Sequence, residues 1–246
     1  MKTTVKLGLL APAVATALAM AASQAQATTI SPMLGDLHTG AYIGNYFDGG
    51  ADSVATDGTG PNLGIVFSNN ATAQKAGDTA RTGDGKFENN PSGQSEILYF
   101  APTTSSGANV PATSTASYLD FAAGFTGLSF NYSLATNSSA DAGTVDIWSG
   151  LNGTGTLLDA ISLTANPVTT ACATHGDAYC TWSSVSATNL GSAESVTFGV
   201  TSTAELTEFD GLQLTPAPVP LPPAALLLLS GVLGLGGFAR KARKTA

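Results

Sequence analysis

The residues able to do chemistry in this sequence are few: His38 and His175, Cys172 and Cys180, and 17 carboxylates. A nucleophilic triad needs a base held beside Ser or Cys, and neither histidine lies in a motif such as G-x-S-x-G. No phosphate-cradling glycine loop followed by Lys and Ser/Thr is present, and no dinucleotide fingerprint. A glycosidase would need two carboxylates across a cleft, and a chain with this many acids always offers pairs, so their presence argues for nothing. The sequence therefore reads as non-enzymatic, with a secreted hydrolase as the third-ranked possibility. Cys172 and Cys180 are separated by seven residues. In an oxidising compartment such a pair closes a small disulfide loop, and the spacing does not suit zinc. Asp210 stands between Phe209 and Gly211, with Leu212 beyond, in a stretch that reads as a buried strand, so its carboxylate needs partners. Two kinds are open to it. A structural calcium shared with Asp48 or Asp52 of an Asp/Gly-rich loop is one, and the N–H groups of a neighbouring turn are the other. Trp148, Trp182, Tyr42, Tyr46 and Tyr99 are the residues a sugar-binding domain would stack on a ligand, although their strand positions suit a core equally well.

Strands must position these residues. Leu128, Phe130, Tyr132 and Leu134 alternate with polar neighbours, as do Val196, Phe198 and Val200, and this period-two pattern puts the apolar set on one face of a sheet. Further strands are expected at 63–67, 97–100, 118–121, 144–148, 157–163, 181–186 and 206–214, with a turn over 150–155. No interior segment has the apolar spacing of a helix. Many short strands separated by Gly, Ser, Thr and Asn predict an all-β fold, a single β-sandwich of jelly-roll type. The Gly- and Asp-rich N-terminal half reads as long loops at one end of it, or as partly mobile chain.

Both ends of the chain are directed to membranes. Residues 1–27 combine Lys2 and Lys6, an apolar run, and small residues Ala25 and Ala27, which predicts a secretory signal peptide cut before Thr28. Residues 28–215 form the exported domain, which holds all 17 acids against three cations, Lys75, Arg81 and Lys86, for a formal charge of −14. That surface repels nucleic acid and anionic lipid. Residues 216–246 begin with a proline motif at 219–224, continue as an uncharged span at 224–239, and end in Arg240, Lys241, Arg243 and Lys244. As a helix the span reaches about 24 Å at 1.5 Å per residue. A hydrocarbon core is about 30 Å thick, so the neighbouring Val219 and Leu221 or a thinned bilayer must supply the rest. The terminal cations would stay cytoplasmic and stop transfer.

The run Val219, Pro220, Leu221, Pro222, Pro223, Ala224, followed by a Leu/Gly-rich span and a basic end, resembles the PEP-CTERM sorting signal in its VPLPA-type variant. It differs from the commonest form, which has a glutamate where Leu221 stands, and Pro223 replaces an expected alanine. The resemblance implies an exopolysaccharide-producing Gram-negative cell. It further implies an exosortase-type processing enzyme as partner, and delivery to the cell envelope, cell surface or extracellular matrix after a stage as a single-pass membrane protein. The stretch from Phe125 to Leu214, ending in Phe209, Asp210 and Gly211, is similar to the β-sandwich domains that precede such tails. That second resemblance bears on the fold more than on any activity; the domain itself reads as a non-catalytic structural or adhesive matrix component of a biofilm, with an exopolysaccharide-binding module as the alternative.

Overall fold

In the computed structural model of the chain, the described residues are 28–54, 58–75, 87, 89–101, 106–107, 116–134, 143–164, 166, 180–199 and 207–218. Two compact units are distinguished, Ala27–Ala217 and a second made of Met1–Gln26 with Pro218–Ala246. Of the second unit only Pro218 is described. The first is built almost wholly of strands: β1 (Ile65–Phe67), β2 (Ala71–Lys75), β3 (Glu96–Phe100), β4 (Tyr118–Leu134), β5 (Thr144–Gly150), β6 (Thr154–Ser162), β7 (Ser183–Gly199) and β8 (Thr207–Pro216). All pair antiparallel in one sheet of order β2-β3-β8-β4-β7-β5-β6, with β1 beside β4.

The alternating patterns do form strands, but the expected segments 118–121 and 128–134 are parts of one 17-residue strand, and so are those near 181–186 and 196–200. What joins them is an irregularity that apolar periodicity cannot signal. The β4–β7 register shifts between Asp120, Phe125 and Gly127. Gly124 sits there at φ 78°, and a Cβ on it would lie 2.8 Å from the Ser192 hydroxyl. Only glycine suits that position.

Across the shift β4 changes neighbours. Its first part pairs with β1 and with the end of β7, which continues to β5 and β6. Its second part lies between β8 and the start of β7, and β8 leads to β3 and β2. Rings from both parts meet in one core. Phe198 of β7 lies 4.6 Å from Phe100 and 4.9 Å from Phe209 between centroids, and Phe209 lies 5.7 Å from Phe130.

The N-terminal segment before β1 is irregular, as expected of loops, but it is packed. Leu34, Leu37, Ile43 and Phe47 are buried in the same core, around a short 3-10 helix at Leu34–Asp36. These residues follow neither strand nor helix spacing, because turns separate them. The segment also closes one edge of the sheet: Gly40 N–H donates to Ala73 O at 2.6 Å, Ala73 N–H to Ala41 O at 3.0 Å, and Ile43 N–H to Ala71 O at 2.9 Å. β2 itself, sequence ATAQK, had no apolar signature. Ala71 and Ala73 face the core while Thr72 and Gln74 are buried on the opposite side.

Candidate functional site

Asp210 is buried at 2% exposure on β8. Its Oδ2 accepts the Ser92 backbone N–H at 2.8 Å, and its Oδ1 accepts the Asn90 amide at 3.2 Å together with the Ser92 hydroxyl. Asn90 Nδ2 also donates to Gln94 O at 3.0 Å, so the loop before β3 is held as a clasp around the carboxylate. The next residue, Gly211, has φ 60°, opposite a register shift in β4 between Ser129 and Asn131. The three carboxylates expected to share a calcium ion, Asp210, Asp48 and Asp52, do not form one ligand group among the described residues. Asp48 is exposed, Asp52 Oδ1 accepts the Val54 N–H at 3.0 Å, and no group of three acidic, His or Cys residues among the described residues could hold a metal. Turn donors satisfy Asp210, which was the other possibility open to it.

A second polar set was missed from sequence. Thr72, Tyr99, Glu208 and Ser133 lie directly opposite one another across β2, β3, β8 and β4, and all four are buried. The Thr72 hydroxyl donates to Tyr99 O at 3.2 Å. Ile97 and Gln74 occupy the same face, and Phe87 joins Ile97 and meets Trp182 edge-on at 6.2 Å. Where β2, β3 and the start of β8 lie, this side of the sheet is therefore covered as the apolar side is. The signal available was the alternation of Glu208 and Asp210 around Phe209, which put two carboxylates on a strand predicted to be buried. Cys180, two residues before Trp182, is buried and disulfide-bonded. Cys172, the other cysteine, lies outside the described residues.

None of the five aromatic residues considered for sugar stacking is fully exposed. Tyr46 and Tyr99 are buried, while Tyr42, Trp182 and Trp148 are half-buried. Trp148 Nε1–H donates to Thr197 Oγ1 at 3.0 Å, which fixes the indole against β7. Near it, the loop between β5 and β6 folds over two polar residues. Asp120 Oδ1 accepts the Asn152 N–H at 2.8 Å. The buried Ser195 hydroxyl accepts the Gly153 N–H at 3.0 Å and donates to Gly150 O at 2.5 Å. That serine closes a turn, directly across from Asp120 in the β4–β7 ladder.

Burial raises the carboxyl pKa of Asp120, partly offset by the Asn152 N–H, and burial also raises that of Asp146. Burial, then the neighbouring Asp120, raises the Tyr118 phenol. A carboxyl whose folded pKa exceeds its unfolded one favours the folded state while protonated, and that contribution fades as pH rises through the folded value. The contribution of these two carboxyls to the melting temperature is therefore expected to fall as pH rises from the ordinary carboxyl range toward neutrality. Asp120→Asn, which keeps the acceptor for Asn152, should raise the melting point at neutral pH and flatten this slope. A slope that Asp120→Asn leaves unchanged contradicts the assignment.

The ends of the domain are tied together. Ile30 and Leu214 exchange both backbone hydrogen bonds at 2.8 Å, and Ala217 N–H donates to Gly124 O at 2.8 Å. Of the expected processing positions, Thr28 is described and exposed. Ala25, Ala27, the motif at 219–224 and the basic residues at 240–244 lie outside the described residues. Among the described residues no helix is long and apolar enough to cross a membrane. No family model matches the chain, and no curated protein matches it.

Proposed function

We propose that the chain is an exported cell-surface or extracellular-matrix protein, sorted by an exosortase-type enzyme through its C-terminal tail, with a structural, adhesive and non-catalytic domain. The observation that carries this reading is the order of the chain's ends: a leader at 1–27, then at the other end a proline motif at 219–224, an uncharged span at 224–239 and a basic end at 240–244. Among the described residues, backbone pairing begins at Ile30 and the last backbone bond is made by Ala217. Trimming at both ends would leave the Ile30–Leu214 pairing whole.

In this reading the terminal cations stop transfer, the apolar span holds the chain in the inner membrane, and the proline motif is presented to the processing enzyme. The domain is then released or attached outward. The two parts of the sheet act as the two layers of a jelly-roll-like sandwich, joined by β4 and β7 and packed through Phe100, Phe198 and Phe209. Replacing Val219, Pro220, Leu221 and Pro222 by alanine is expected to trap full-length protein in the membrane fraction. Normal processing and location of that variant would overturn the sorting reading.

A second reading, an exopolysaccharide-binding module, is favoured by one feature. A shallow open groove of about 320 Å³ crosses β4, β7 and β8, lined by Ser129, Asn131, Ser184, Ser186 and Gln213. Uncharged hydroxyl and amide groups of this kind suit a neutral polyol. Retention of the protein on purified exopolysaccharide, lost in Asn131→Ala with Gln213→Ala, would favour this second reading over a purely structural one.

A further inference from the structure

The sheet has two ends, and the chain treats them differently. At β2 the N-terminal segment bonds along the outer edge, as described above. At the other end β6 pairs with β5 alone, and among the described residues no backbone group bonds to its outer edge. Residues 154–160 are all exposed. Of the four large apolar side chains exposed among the described residues, three, Leu151, Leu157 and Leu158, belong to this one hairpin. Leu157 is 46% and Leu158 37% exposed.

Edges of this kind are ordinarily blunted by Lys, Pro or inward-turned charge. β6 has no Lys and no Pro. Its single charge, Asp159, accepts the N–H of its own neighbour Ala160 at 2.9 Å. From Ile147 to Leu158 there is no charged residue at all. In a domain with 17 acids and three cations, such an uncharged stretch lets two copies approach with little repulsion. The same edge has no cation with which to hold an acidic partner.

We propose that the outer edge of β6 is a self-association surface, at which a second copy of this chain adds its own β6 antiparallel and continues the sheet across the pair. An antiparallel pairing of one strand with itself is self-complementary about a two-fold axis, so a single edge serves both copies. Nine residues at about 3.3 Å each give an edge about 30 Å long. An interface this narrow is weak and depends on local concentration, which crowding at a cell surface supplies. The inference rests on the structural reading of the domain and gives that reading an assembly mechanism.

The test is sedimentation velocity on the exported protein as isolated from cells, across a range of concentration and at low and high salt. A monomer–dimer equilibrium is expected, tightening about tenfold or more as salt screens the acidic surfaces. Leu157→Lys with Leu158→Lys should raise the dissociation constant at least about tenfold, with an unchanged circular dichroism spectrum, since both side chains are exposed. Met33→Lys, at an exposed site outside the hairpin, should leave it unchanged. A protein that stays monomeric at every concentration, or a dimer indifferent to the leucine variants, would overturn the proposal. So would binding of a different macromolecule at this edge in place of a second copy. None of these outcomes depends on whether the tail is processed, so failure here is distinct from failure of the sorting reading.

Discussion

Phe198→Ala is expected to lower the unfolding free energy by about 3–5 kcal/mol, the cost of deleting a fully buried ring and leaving most of its cavity behind. Phe198 is the ring at which the two parts of the sheet meet: it packs tilted against Phe100 and edge-on against Phe209. Phe209 in turn touches Phe100 and Phe130. Few local rearrangements can refill that space, because the neighbouring positions are occupied by rings held on strands β3, β4 and β8. Domains of this size are stable by only about 5–15 kcal/mol, so the variant should melt far below the parent or fail to accumulate. Denaturant unfolding followed by tryptophan fluorescence measures it. A loss under about 1 kcal/mol would mean that these rings do not form a shared core.

Asp210→Ala should cost about 2–4 kcal/mol for a different reason. The substitution leaves the Ser92 N–H, the Ser92 hydroxyl and the Asn90 amide without the acceptor that the folded chain gives them. Buried donors without acceptors are penalised by their full desolvation. Asp210→Asn keeps the volume and one acceptor oxygen, and its loss should be smaller. Because protein groups already surround the carboxylate, neither a chelator nor added calcium should move the melting point. A rise of several degrees with calcium, lost in Asp210→Asn, would restore the metal account.

The strands with clean alternation, Leu128 to Leu134 and Val196 to Phe198, were legible because one of their faces is apolar and buried. β2 was not, because its outward face is buried too: Thr72 and Gln74 lie under cover while Ala71 and Ala73 supply too little apolar contrast. The same double burial hid Glu208, whose neighbours in the ladder come from strands far apart in sequence. The core role of Leu34, Leu37, Ile43 and Phe47 was invisible because hydrogen bonds to β2, with no periodicity of their own, dictate that path. For Asp210 the need for partners could be read from its apolar neighbours. Their identity could not, since turn donors and a cation answer that need equally well until the loop at Asn90 and Ser92 is located. The proposed role of the tail rests on the order of its three parts, a linear property that needs no fold.

The measurement that bears most directly on this account is the intact mass of the protein taken from its native cells. The account predicts loss of residues 1–27 and loss of the chain beyond the motif at 219–224, or a mass added near that motif if the domain is joined to a carrier. A protein that still carries Lys244 and Ala246 would contradict it and leave an unprocessed, membrane-held chain.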